Sequence, residues 1–330
     1  MINIIASDVY ALYYPVKCEK RVYFKSHDVK ESEPDELDKL IQKLGLRHEN
    51  NYLKTFKEVY DVSKLPRQDQ VEATIKAIEK GTEVIYQGVL TTIIKIDGVE
   101  IELTGKPDFM IKDGDSYIIQ DCKVARKLDK HPEISLQLQI YSLLFEKVTG
   151  KKPAGLEAYL GDGTKQAIFS NDGEVISLLS LIKHMELLKT EPYTPVGWSK
   201  CGKCPFNYLC WAKAMKNNDV ATLPDVNQDT AIELRDIGIE NIDQLLDENN
   251  KVALKGLKKF QKKQSADRII MSAHARRENK SIWLYNPVLP ENENYVAQYF
   301  ECSLKQAREY INIMGQGWAK QIKNSFGGQL

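Results

Sequence analysis

Gly105-Lys106-Pro107-Asp108 and Asp121-Cys122-Lys123 lie in the middle of this chain, with twelve residues separating the two aspartates. Each string follows an apolar, strand-like run: Ile93-Ile94 to Leu103 leads into the first, and Tyr117-Ile118-Ile119 into the second. Between them, Lys112-Asp113-Gly114-Asp115-Ser116 has the composition of a hairpin turn. Two adjacent antiparallel strands would carry Asp108, Asp121 and Lys123 to one end of a sheet. Residues 121 and 123 share a face because side chains alternate along a strand. Two carboxylates can hold a divalent cation through hard oxygens, and a nearby ammonium can orient or activate water. That equipment suits phosphodiester hydrolysis.

Downstream, Ile134 to Val148 has helical apolar periodicity and places Gln137 and Tyr141 at i and i+4, on one face. Upstream, His48-Glu49 is read as opening a helix that continues through Tyr52-Leu53. Taken singly, Gln137 reads as a solvated helix residue, Tyr141 as a core aromatic and His48 as a surface histidine. In order, His48, Asp108, Asp121-x-Lys123 and Gln137-x3-Tyr141 resemble the RecB-like branch of the PD-(D/E)XK nuclease superfamily over residues 1–215. The resemblance implies a restriction-endonuclease-like α/β core, a mixed sheet flanked by helices. It implies Mg2+ or Mn2+ held by Asp108 and Asp121, with the Cys122 backbone carbonyl and His48 completing the set. Lys123 would position the attacking water and stabilise the phosphate in the transition state. Gln137 and Tyr141 would contact the metal site or the nucleic-acid backbone. Asp121 stands where Glu is common, which shortens the reach of that ligand. The branch also points to exonucleolytic action on single-stranded DNA.

The six cysteines are Cys18, Cys122, Cys201, Cys204, Cys210 and Cys302. Met1 to Tyr14 is only moderately apolar, carries Asp8, and lacks a basic start and a cleavage signal, so a cytoplasmic location is expected. Clustered cysteines there more often bind metal than pair as disulfides. Cys201-x2-Cys204-x5-Cys210 supplies three ligands, and Cys18 is the natural fourth. A zinc site usually offers two Cys-x2-Cys knuckles, whereas this chain has one. The spacing resembles the 4Fe–4S clasp of iron–sulfur RecB-like nucleases, among them the CRISPR-associated exonucleases and the AddB-type domain. Iron–sulfur is therefore read ahead of zinc, and four thiolates suit either. Such a clasp would tie the N-terminal segment to the far side of the core, and losing one ligand would loosen it. Cys122 and Cys302 are read as packed residues.

Of 330 residues, 28% are charged and 42% hydrophobic, with zero formal net charge, which argues against a protein that coats DNA generically. The distribution is uneven: residues 251–330 hold 14 Lys and Arg against 6 Asp and Glu. A basic C-terminal region could hold phosphates, although a run such as Leu254 to Lys263 is equally a solvated helix. The elements read as an N-terminal piece (1–25), a helical stretch (35–80) with a turn at Leu65-Pro66-Arg67, and strands (83–123). A helix (132–150), a strand or pair (156–169) and a helix (173–189) follow. No Gly-x4-Gly-Lys-[Ser/Thr] phosphate loop occurs, so ATP-driven helicase activity is not expected of this chain.

Beyond the core, Leu223 to Ile242 resembles a helix–hairpin–helix in which Asp225 and Asn227 replace the usual glycines (region 216–260). In region 261–330, Asn294 to Ile311 resembles a helix-turn-helix. Ala297 falls in its first helix, the turn at Glu301-Cys302-Ser303, and apolar Ala307 and Tyr310 in its second. Lys305, Gln306 and Glu309 would face outward on that second helix and could meet DNA or a protein partner, with Arg308 a further candidate for DNA contact beside Lys305 and Gln306. The leading expectation is a metal-dependent DNA nuclease. The rivals are a non-catalytic DNA-binding protein on a nuclease fold and a subunit dependent on a helicase or integrase partner. No membrane association is expected.

Overall fold

The computed structural model describes residues 1–13, 16–280, 293, 295–297 and 303–325. Chain contacts divide it into two compact units, Met1–Gln244 and Leu245–Leu330. Cys302 and the expected turn residue Glu301 lie outside the described residues.

The first unit is α/β. It opens with β1 (Ile2–Ile5), α1 (Val9–Tyr13), α2 (Glu19–Ser26) and α3 (Glu36–Leu53), followed by β2 (Tyr60–Asp61) and α4 (Gln70–Glu79). Strands β3 (Val84–Tyr86), β4 (Leu90–Ile96), β5 (Val99–Gly105), β6 (Phe109–Asp113) and β7 (Ser116–Cys122) precede α5 (Pro132–Thr149). Then come β8 (Gly155–Tyr159), β9 (Lys165–Ala167), α6 (Asp172–Leu187), α7 (Asn207–Lys216) and α8 (Gln228–Asp236). Six strands form a mixed sheet in the order β2-β3-β6-β7-β8-β9, and β1-β5-β4 form a smaller one.

The expected hairpin is present. β6 and β7 pair antiparallel from Phe109↔Gln120 to Asp113↔Ser116. Gly114, at φ +58°, turns the chain in a conformation that costs glycine no Cβ clash. The apolar run before Asp108 behaves differently from its reading as one lead-in strand. Asp97 (φ +47°) and Gly98 (φ +79°) fold it into a β4–β5 hairpin, as an Asp-Gly pair favours. Asp108 therefore sits in the short crossing from β5 to β6, immediately before Phe109.

His48-Glu49 does not open a helix. α3 begins at Glu36, where Asp35 caps it by accepting the Asp38 N–H at 2.8 Å, with Asp38 returning the bond. His48 and Glu49 lie in its last turns. There Tyr52 stacks on Tyr159 (3.8 Å between centroids) and meets Phe109 edge-on, covering one face of the sheet. The other face buries Ile85, Met110, Ile119 and Leu156 against α5, whose Leu138, Ile140, Leu144 and Phe145 are almost fully enclosed. Burying a side chain of this size contributes about 1.5–3 kcal/mol, which makes this the main cohesive layer.

The stretch resembling a helix–hairpin–helix is also differently built. Asn227 does not occupy a hairpin apex: at φ −81° it caps α8, accepting the Thr230 N–H at 2.9 Å. The left-handed turn falls at Gly238 (φ +84°). Thr222 and Pro195 carbonyls accept bonds from Trp198 (3.1 Å) and Gln228 (2.8 Å), tying this stretch to residues 195–198.

In the second unit the basic run expected as one helix breaks into α10 (Lys251–Lys255), α11 (Lys258–Gln261) and the start of α12 (Lys263–Glu278), following α9 (Ile242–Leu245) at the boundary. α13 (Leu304–Met314) and α14 (Gln316–Ser325) pack through Ala307, Ile311, Ala319 and Ile322. Tyr310, expected inside, is exposed, and Ile311 takes the buried position. No helix among the described residues is long and apolar enough to cross a membrane.

Candidate active site

The strand register brings Asp108 and Asp121 together. Asp108 Oδ2 accepts the Cys122 backbone N–H at 2.7 Å, and Oδ1 accepts Gln87 Nε2–H at 2.9 Å. Asp121 is buried, and its Oδ2 pairs directly with the Lys123 ammonium. Lys123, just past the end of β7, donates to Gln137 Oε1 at 3.0 Å. Gln137 Nε2–H donates to Tyr141 Oη at 2.8 Å, and Tyr141 donates to the Lys106 carbonyl at 3.1 Å. Gln137 and Tyr141 thus converge with the acids, but as a buried chain that holds Lys123. The i, i+4 spacing on α5 aims both side chains at the same place. Gly105 makes that approach possible, since a Cβ there would lie 2.5 Å from Leu144 Cδ1 and 2.7 Å from Tyr141 Cδ1.

The electrostatics are those of crowded negative charge. Burial, then the Asp121 and Glu49 carboxylates, push the Asp108 carboxyl well above its usual range. Burial opposes a charge on Lys123, yet Asp121, Tyr10 and Asp108 outweigh it and hold the ammonium above its ordinary value. Burial, Asp121 and Asp108 likewise keep the Tyr141 phenol protonated.

His48 is beside the site with one ring nitrogen engaged. Nε2 lies 3.2 Å from the Tyr159 carbonyl, and the ring stacks on Tyr159 at 5.0 Å. Three neighbours escaped the sequence reading. Glu49 Oε1 accepts from Gln87 Nε2–H at 2.6 Å and from Tyr86 Oη–H at 2.8 Å. Gln87 bridges Glu49 to Asp108. Tyr10, from α1, presents its ring 5.4 Å from Lys123 Nζ. Adjacency to His48 was the one signal for Glu49; nothing in sequence marked Gln87 or Tyr10, which reach the site through tertiary packing.

The donor chemistry fits a divalent cation. Two hard carboxylates converge, Asp121 buried against a single ammonium, and Asp108 driven upward first by burial and then by the neighbouring Asp121 and Glu49 carboxylates. Among the described residues, no group of three or more His, Cys, Asp or Glu is placed to hold a metal ion, so a complete ligand shell would need side chains to close in.

The cysteines converge as well. Cys18, Cys201, Cys204 and Cys210 are free thiols, and each of Cys18, Cys201 and Cys210 is pushed up by burial and by the neighbouring thiols, Cys210 to about 11. The segment carrying Cys18 is stitched to residues 191–213 by several contacts. Lys20 pairs with Glu191 at 2.7 Å, Ser32 N–H donates to the Pro205 carbonyl at 2.9 Å, and Phe24 packs on Phe206 at 5.0 Å. Four thiols match the donor chemistry of an iron–sulfur cluster or zinc, again without ligand spacing.

In the second unit Lys305 is exposed. Gln306 is exposed too, but its amide oxygen closes a capping box with Ser303 (2.8 and 3.0 Å). Arg308 is similarly committed, to Glu293 at 2.7 Å.

No curated protein matches this chain. A solved structure titled "Crystal structure of SSO0001" aligns at 18% identity and TM-score 0.34, over 64% of this chain and 88% of that one, a likeness too slight to carry an argument. The model of the PD-(D/E)XK nuclease superfamily matches residues 20–211, more than half the chain and the whole span of α3, the β6–β7 hairpin and α5. Members are phosphodiester hydrolases that use divalent metals such as Mg2+ or Mn2+. With its two acids and lysine converging inside that span, the chain belongs to the PD-(D/E)XK nuclease superfamily.

Proposed function

We propose that this chain is a metal-dependent DNA nuclease of the RecB-like branch, acting on single-stranded DNA as an exonuclease, with Cys18, Cys201, Cys204 and Cys210 holding a structural 4Fe–4S cluster. The observation that carries the catalytic reading is the convergence of Asp108, Asp121 and Lys123 at one end of the β6–β7 hairpin.

Asp108 and Asp121 would hold the divalent cation, with His48 and the Cys122 carbonyl as further donors. When bound, that cation polarises the scissile phosphate and supports formation of the attacking nucleophile. Lys123 supplies a fixed positive charge beside the acids. Its proton is retained at neutral pH, so it acts as a hydrogen-bond donor to water or to a phosphate oxygen and not as the base. Gln137 and Tyr141 hold Lys123 in place, since Gln137 Oε1 accepts from the ammonium and Tyr141 anchors Gln137 to the Lys106 carbonyl. Asp121 is buried and Lys123 mostly covered, which limits competition from water for these contacts.

For the cluster, the convergence of four thiols from segments nearly two hundred residues apart supports the reading. The test is a nuclease assay on 5′- and 3′-labelled single-stranded and duplex DNA with Mn2+, Mg2+ or EDTA, on protein purified anaerobically. Metal-dependent release of nucleotides from one end of single strands is the expected result. Cleavage at the wild-type rate in Lys123→Ala, or none by cluster-loaded wild type, would sink the catalytic assignment.

A further inference from the structure

Gln87 occupies a backbone conformation that its side chain makes costly. It sits at φ +55°, in the left-handed region where a Cβ crowds the following carbonyl. The next residue, Gly88, cannot exchange roles with it: a Cβ at 88 would lie 2.3 Å from Met110 Cε and 3.1 Å from Thr74 Cγ2. The turn therefore needs its glycine at 88 and leaves a long side chain in the unfavourable place at 87. That side chain has a specific job. Its single amide nitrogen donates to Asp108 Oδ1 (2.9 Å) and to Glu49 Oε1 (2.6 Å), while its backbone N–H donates to the Asp108 carbonyl at 2.8 Å. Both the main chain and the carboxylate of Asp108 are thereby gripped by one residue.

We propose that Gln87 is a positioning residue, whose strained backbone aims an amide that clamps Asp108, with Glu49 as its far anchor, in the orientation needed to ligate a divalent cation. The proposal rests on the nuclease reading of Asp108. Its physical content is that strain is retained for reach: with Cys122 N–H on Oδ2 and Gln87 on Oδ1, the carboxylate cannot swing away from Asp121 despite their repulsion.

Two variants separate this from a merely structural role. Gln87→Gly removes the amide and relieves the backbone, whereas Gln87→Met keeps the length and the strain but has no donor. Mn2+ binding to EDTA-stripped protein is measured by calorimetry or electron paramagnetic resonance, alongside thermal unfolding and steady-state cleavage. Both variants should bind Mn2+ at least about tenfold more weakly. kcat should fall and KM for DNA stay constant, while the Gly variant melts no lower than wild type. Wild-type Mn2+ affinity in either variant, or affinity lost only in parallel with stability, overturns the proposal. Wild-type protein that binds no Mn2+ would instead overturn the nuclease reading, and this inference with it.

Discussion

Asp108 is pulled in two directions: two donors orient its carboxylate, while burial, Asp121 and Glu49 oppose its ionisation. A carboxyl whose folded value is raised favours the fold at low pH and loses that advantage as pH rises. The unfolded chain ionises first, from near 3.8, while the folded site resists. Without metal, the melting temperature should therefore fall as pH climbs from about 4 toward neutrality. Asp108→Asn should flatten that dependence, and Mn2+ should restore stability at neutral pH only in wild type. Differential scanning calorimetry in EDTA and in Mn2+ checks both. Lys123→Ala should leave metal binding nearly intact and lower the cleavage rate by about a hundredfold or more, as loss of a preorganised charge in a dry site does. Single-turnover kinetics at saturating metal read it directly.

At the scale of elements, the site depends on α5 lying close to the end of β5. Gly105→Ala would drive a methyl into Leu144 and Tyr141. Overpacking of this kind costs about 1–3 kcal/mol, measurable by urea unfolding. Because Tyr141 is the far end of the chain holding Lys123, cleavage should weaken more than the stability loss alone explains. Residues 19–32 and 191–213 form the second critical pairing. Cys204→Ser should lower iron content and expose this seam to protease while leaving the β6–β7 core folded, read by metal analysis and limited proteolysis.

For the whole molecule, a formal net charge of zero conceals an excess of cations after residue 250. Lys305 is exposed on α13, whereas Gln306 and Arg308 are committed within the unit. If this unit contacts phosphates, Lys305→Glu should weaken DNA binding uniformly across sequences. It should also lower the slope of log affinity against log salt by about one. An unchanged slope would remove the unit from the DNA path.

The β6–β7 hairpin, helix α5 and the strand pair around Gly161 to Thr164 were legible in sequence. Turn chemistry and apolar periodicity are local, and they survive in any tertiary setting. The Asp97-Gly98 turn is equally local, but the apolar residues on both sides of it read as one continuous run. The helical reading of residues 35–80 starts where Asp35 caps α3, and His48-Glu49, read as a helix start, falls in the last turns of that same helix. Converging acids were foreseeable because strand alternation plus a two-residue turn fixes which side chains meet. What only the tertiary structure decided is the company these residues keep: Gln87 and Glu49 on Asp108, Tyr10 over Lys123, and Gln137 and Tyr141 as a chain behind the lysine. Most of these contacts join residues far apart in the chain. They exist because burying two faces of one sheet brings α1, α3 and α5 to the same strand ends, a consequence of packing that no local spacing encodes.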